Sequence, residues 1–347
     1  MLTTRGALGC LALVTASMTA CGHTKVAPLH ASSPVASFRI VYRIEQPQAP
    51  ARWSEIVAKR PFFVRAASYD HSPKAGEQPT TGTLTTVDGL FQIRPEGLQE
   101  ISGRQPSPGT GDQWLVPQLA DAVARNLARP VATATILGRA CTVYRFKEPP
   151  VGPIAELAGS DHDDLCLSAD GLLLREVWTF KGRVVLRRTA ERVTLAPLQV
   201  DAVFDTNSAA APPDQGPIAA AAPSGSSYLP DPHAPPGFSL VKRDAFALLQ
   251  PGDVGPVALY SSTVWAFTRG VDLITVEAGD SGASAKVPWS TSDPSRPERL
   301  PVGASQTVVR NDGAEVRVDL GHHHWLRVRG TVSLATLLRY ARTLRAT

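Results

Sequence analysis

From Ser37 the chain alternates: Phe38, Ile40, Tyr42 and Ile44 fall on one side, Arg39, Arg43 and Glu45 on the other. A period of two places successive side chains on opposite faces of an extended backbone, so this run is a half-buried strand. The pattern keeps returning. A second strand-like run spans about Glu55 to Tyr69, and Thr83 to Arg94 reads as a hairpin turned at Asp88-Gly89. Strands resume at Thr133 to Phe146, Leu165 to Leu195 reads as three antiparallel strands parted by Asp170-Gly171 and Lys181-Gly182, and Val200 to Phe204 closes the domain. In the middle strand Leu172, Leu174, Trp178 and Phe180 share a face that only Glu176 interrupts. One helix breaks the series: Leu115, Leu119, Ala122, Val123 and Leu127 recur at helical spacing, with Pro117 in the first turn and Pro130 past the end. Such a chain commits to antiparallel sheet with little helix to cover it.

The alternation stops at residues 206–236, where Ala, Pro, Gly and Ser dominate. A segment of that composition buries too little to order itself, so it reads as a linker leaving a mobile second domain. That domain, residues 237–347, has strand candidates at Val257 to Ser261, Asp272 to Glu277, Gln306 to Arg310 and Glu315 to Leu320, with Asn311-Asp312-Gly313 as a hairpin turn. It ends in an amphipathic helix: Ser333 is a good N-cap, and Leu334, Leu337, Leu338, Ala341 and Leu344 form one stripe. The fold class expected is α+β.

Residues 1–20 read as an export signal, with Arg5 ahead of an apolar stretch from Ala7 to Val14 that is too short to span a bilayer. Met18-Thr19-Ala20-Cys21 resembles the lipobox of bacterial lipoproteins, Met18 standing where Leu is usual. The resemblance implies cleavage before Cys21 and acylation of its thiol; plain secretion with cleavage after Ala20 is the alternative. Two acyl chains hold a protein at a membrane where one binds reversibly. Residues 21–36 then form a tether, placing the protein on the extracytoplasmic face of an envelope membrane. With Cys10 in the signal and Cys21 acylated, Cys141 and Cys166 remain, and an even pair in an exported chain forms a disulfide. Their spacing is not that of a redox or metal pair.

A net charge of +4 without a basic run gives no reason to expect nucleic acid as a partner. Gly279-Asp280-Ser281-Gly282 matches the tetrapeptide around a serine-protease nucleophile, but no histidine stands in the accompanying context, so it reads as a surface loop. His322-His323-His324 reads as a polar turn, because neighbours in an extended chain point apart and cannot converge on one metal. Asp161, Asp163 and Asp164 around His162 read as a solvated hairpin tip, lacking calcium-loop order. No catalytic centre, metal site or cofactor motif is expected.

Gly138 to Phe146 and Asp164 to Glu176 resemble the strand pairs of the LolA/RseB-like family, the second ending in Asp170-Gly171-Leu172-Leu173-Leu174-Arg175. Pro236 to Leu240 and Gly330 to Ser333 resemble the small C-terminal domain of RseB (MucB)-type proteins. The resemblance implies that residues 37–205 form a curled open antiparallel sheet, a half-barrel with a covering helix, enclosing an apolar cavity. A smaller α+β domain follows. It implies a non-enzymatic protein that binds an apolar or acylated ligand and acts on a membrane-bound regulator such as an anti-sigma factor. A lipid or lipoprotein carrier is the alternative, and a hydrolase using Ser281 a remote one. Phe38, Ile40, Tyr42, Leu119, Val123 and Trp178 are the candidate cavity lining. For any one of these residues the default is to fill a closed core, as apolar strand faces do.

Overall fold

The computed structural model describes residues 35–74, 76–87, 89–102, 115–146, 162–195, 201–210, 231–250, 257–281, 295–301, 303–310 and 313–345. Eleven strands form a first sheet: β1 (Ser37–Glu45), β2 (Arg52–Lys59), β3 (Phe63–Tyr69), β4 (Thr81–Thr85), β5 (Leu90–Arg94), β6 (Gly97–Ser102), β7 (Ala128–Ile136), β8 (Arg139–Phe146), β9 (His162–Ser168), β10 (Leu173–Phe180) and β11 (Arg183–Thr194). Their order is β6-β5-β4-β3-β2-β1-β11-β10-β9-β8-β7, antiparallel throughout and, among the described residues, not closed into a barrel. Seven more form a second sheet: β12 (Ser239–Gln250), β13 (Val257–Arg269), β14 (Asp272–Asp280), β15 (Ser295–Leu300), β16 (Gly303–Arg310), β17 (Gly313–Gly321) and β18 (His324–Gly330), ordered β12-β13-β14-β18-β17-β16-β15. Among the described residues two α-helices accompany them, α1 (Leu115–Ala124) and α2 (Leu334–Ala341).

Tight turns set the registers. Lys181 and Gly182 both have positive φ (48° and 72°), as a two-residue hairpin loop of matching twist requires. Leu137 and Gly138 do the same (50° and 74°), as do His322 and His323 (50° and 69°). The histidine run is therefore a turn, with His324 opening β18.

Several elements differ from the sequence reading. The run from Glu55 to Tyr69 is two strands, because Pro61 has no N–H for the ladder and the chain reverses there. Residues 201–204 form a 3-10 turn rather than a strand. Asp163 belongs to β9 and is fully buried, so it is no solvated tip. In β10 a register shift between Leu173 and Arg175 breaks the expected shared face. Leu172 and Leu174 are buried, Trp178 and Phe180 are half-buried, and Glu176 is buried against Arg188 at 2.8 Å.

The two sheets share an apolar core. Leu119 and Ala122 of α1, with Tyr144, Phe146, Leu165 and Leu167 of β8 and β9, belong to one cluster with Val316, Val318, Leu326, Val328 and Leu337. Polar contacts fix the same seam: Asp121 accepts the Leu334 N–H at 2.7 Å at the start of α2, and Arg125 donates to Thr307 Oγ1 at 2.7 Å. The expected mobile second domain is thus packed against the first sheet. Both described ends of the expected linker are also placed. Ala210 pairs with β6, donating to Leu98 O (2.8 Å) and accepting from Glu100 N (3.1 Å). Asp231 accepts from Trp265 Nε1, and His233 O accepts from Tyr340 OH. At the N-cap of α2, Ser333 accepts from Thr336 N, as its residue type favours.

Candidate functional site

Register across β1 to β6 assembles two rows of side chains on one face. Arg39 pairs with Val57, Val57 with Arg65, Arg65 with Leu84, and Leu84 with Phe91. Beside it run Val41, Glu55, Ala67, Gly82, Ile93 and Leu98. Directly opposed residues lie on the same face, so β1 turns Arg39 to this side and Phe38, Ile40 and Tyr42 to the other. Gly82 is required in its row, since a Cβ there would come 2.4 Å from Ala66 O.

These rows floor a cavity of about 490 Å³. Its walls come from Lys74 and residues 76–79, from Val203 in the 3-10 turn, and from Asp205 and Ser208 beyond it. Phe204 anchors the 3-10 turn by packing on Phe63 with ring centroids 5.3 Å apart. The cavity has two halves. Val57, Leu84, Ile93, Leu98 and Val203 supply an apolar wall; Arg39, Glu55, Arg65 and Tyr69 supply a polar one.

The polar half is built around Glu55, whose side chain is 4% exposed. One carboxylate oxygen accepts from Arg39 Nε (2.8 Å) and Nη2, and the other from Arg65 Nη1 (3.0 Å). Two guanidiniums thus share one carboxylate. A guanidinium carries five N–H donors, so Glu55 engages only part of each fork. Burial, and next Glu55, push the Tyr69 phenol above its ordinary pKa, so it remains protonated and able to donate.

A second buried group lies elsewhere in the sheet, with the opposite imbalance. Asp163 and Glu176 stand near the single guanidinium of Arg188, and neither Asp163 oxygen has a hydrogen-bond partner among the described residues. Burial first, then the charge of Glu176, raise the Asp163 carboxyl well above the usual carboxylate range.

The sequence-derived candidates fall in three places. Phe38, Ile40 and Tyr42 are buried in a cluster with Ile56, Ala58, Val64 and Leu174. Leu119 lies in the core shared by the sheets with Val123 packed against it, and Trp178 is half-buried, donating to Glu176 at 2.8 Å. None of the six lines the 490 Å³ cavity. Cys141 and Cys166 form a disulfide joining β8 and β9. Cys21 lies outside the described residues. Ser281 is buried at the end of β14, its N–H donating to His323 O. No group of three or more metal-ligating side chains occurs among the described residues. None of the helices among them is long and apolar enough to cross a membrane. Arg39, Glu55, Arg65 and Tyr69 were not singled out from sequence. Their signal was charge of both signs on the polar face of adjacent strands, which reads as solvated until a second layer covers it.

No family model matches the sequence, and no curated protein does. Among solved structures, the Pseudomonas aeruginosa MucA/MucB complex is similar at 14% identity over 89% of this chain and 93% of that chain, with a TM-score of 0.33. MucB in complex with MucA(peri) is similar at 16% identity over the same shares, 89% and 93%, with a TM-score of 0.29. A LolA superfamily protein from Nitrosomonas europaea covers 50% of this chain and 91% of its own at 13% identity, with a TM-score of 0.22. The solved structures to which this chain is similar thus include MucB and a LolA superfamily protein, the kinds of protein its sequence resembles.

Proposed function

We propose that the chain is a non-enzymatic protein of the bacterial envelope that binds an apolar or acylated ligand in its first sheet. The observation that carries this reading is the half-open cavity on β1 to β6, with an apolar wall and a partly buried polar one. Its volume lies within the range of about 300–1,000 Å³ typical of small-molecule sites. In this reading residues 37–205 form a half-barrel ligand domain whose cavity is bordered by Val203, Asp205 and Ser208, the expected covering helix α1 instead meets β7, β16 and β17, and residues 237–347 form the second domain. Acylated Cys21 and the tether to residue 36 hold the assembly at a membrane. The second domain, which meets α1 through β16 and β17, would face a membrane-bound regulator of the anti-sigma type. Carriage of a lipid or lipoprotein uses the same cavity without that partner.

Native mass spectrometry of the full chain, gently extracted from membranes, tests the binding reading. A co-purified amphiphile is the expected result; a ligand-free protein that also takes up none on incubation with envelope lipids would overturn it. Cys21→Ser should move the protein to the soluble fraction, and persistent membrane retention would rule the anchor out.

A further inference from the structure

The cavity on β1 to β6 is divided by chemistry as well as by shape, and the division specifies what can enter. Four cationic side chains line it, Arg39, Arg65, Lys74 and Arg94, against three acidic ones, Glu55, Glu77 and Asp205. The excess is a single positive charge. The acids are already engaged. Glu55 holds both deep arginines, Glu77 accepts from the Lys74 backbone N–H (2.8 Å) and contacts His71, and Asp205 accepts from Asn207 N (2.9 Å). At the polar end two guanidiniums, Arg39 and Arg65, face the one carboxylate of Glu55, a local excess of one positive charge.

Those guanidiniums are largely shielded: the Arg65 side chain is 16% exposed and that of Arg39 30%. Charge-assisted hydrogen bonds made there are shorter and stronger than neutral ones, and partial burial weakens screening by salt. Tyr69, protonated and buried beside Arg65, offers a further donor. The other end is apolar, lined by Leu84, Ile93, Leu98 and Val203. At about 490 Å³ it admits one short chain rather than a lipid with several.

We propose that this cavity is a site for a single-chain amphiphile with a monoanionic carboxylate head, the carboxylate bound by Arg39 and Arg65 and the chain by the Leu84–Ile93–Leu98 wall. The proposal rests on the ligand-binding reading above and adds the class of ligand. Glu55 tunes the site. It holds the two arginines in position and cancels one of their charges, so the cavity accepts one negative charge rather than two.

Calorimetric titration of the full chain with decanoate, decyl maltoside and decyltrimethylammonium, each below its micelle threshold, tests the proposal. Decanoate is expected to bind at least about tenfold tighter than the neutral or cationic chain. Arg65→Gln should weaken decanoate about tenfold, and Glu55→Gln, which leaves both guanidiniums, should strengthen it. Opposite responses cannot both arise from damaged folding, and thermal melts of each variant show which remain folded. Equal binding of the three amphiphiles would overturn the anionic head while leaving the cavity as a binding site. Decanoate weakened by Glu55→Gln in a folded protein would also overturn it. Binding of none of them would remove the ligand-binding reading itself.

Discussion

In the second sheet Glu277 accepts from Arg327 Nε (3.0 Å) and Nη2, and Glu315 accepts from Arg317 Nε, so each of these buried carboxylates is paired with a guanidinium. In the first sheet the numbers do not match. Glu55 is shared by Arg39 and Arg65, while Asp163 and Glu176 have Arg188 between them. All of these carboxylates are buried, so burial alone does not distinguish the sheets. Stoichiometry does. A matched buried pair leaves neither charge uncompensated; an unmatched set leaves charge or an unsatisfied oxygen, which costs free energy unless something else uses it. The second sheet therefore reads as scaffold, and the first as the place where a ligand or a proton completes the structure.

The largest loss of stability is expected from the second sheet. Arg317→Met leaves Glu315 buried without its guanidinium and should cost about 3–5 kcal/mol in urea unfolding. A loss below about 1 kcal/mol would mean the matched pair is not integral to the scaffold. In the first sheet the disulfide between β8 and β9 braces the strands beside the Asp163 group. Replacing Cys141 and Cys166 together by Ser should cost about 3 kcal/mol, checked by the same unfolding curve.

Asp163→Asn sharpens the comparison through pH. The folded carboxyl has a raised pKa, so it is favoured protonated in the fold. The wild type therefore keeps its stability at acid pH and loses it as pH climbs from the ordinary aspartate range through the raised value. Asp163→Asn should match the wild type only below the ordinary aspartate pKa of about 4, and exceed it by a margin that grows with pH to more than about 1 kcal/mol at neutral pH, flattening the dependence. Parallel pH profiles for the two proteins would count against a protonated Asp163. At the small end, Arg43 and Glu45 form an exposed pair at 3.3 Å, and Arg43→Ala should change stability by less than about 0.5 kcal/mol.

Much of this fold was legible. Alternation at Phe38 to Ile44 gave β1, the Lys181-Gly182 pair gave the β10–β11 turn, and Ser333 gave the start of α2. The hairpin at Leu137-Gly138 was hidden, since Leu carries no turn signal and its positive φ is imposed by the strands on either side. The packing of the second sheet against α1 was hidden too. Linker composition describes the linker and says nothing of the surfaces joined at its ends. The cavity was missed for a related reason. Arg39, Glu55 and Arg65 lie on what a single strand presents as its polar face, and only the walls from Lys74 to Pro79 and Val203 to Ser208 make that face part of a cavity. Sequence alternation names the two faces of a sheet; it does not say which will be covered.

Hydrogen exchange of the full chain with and without decanoate tests most directly whether the first sheet binds ligand and the second supports it. Protection should rise in residues 53–69, 76–98 and 201–210 and stay unchanged in the β14–β18 core. Protection confined to the second sheet, or no change in the first while decanoate binds, would contradict the account.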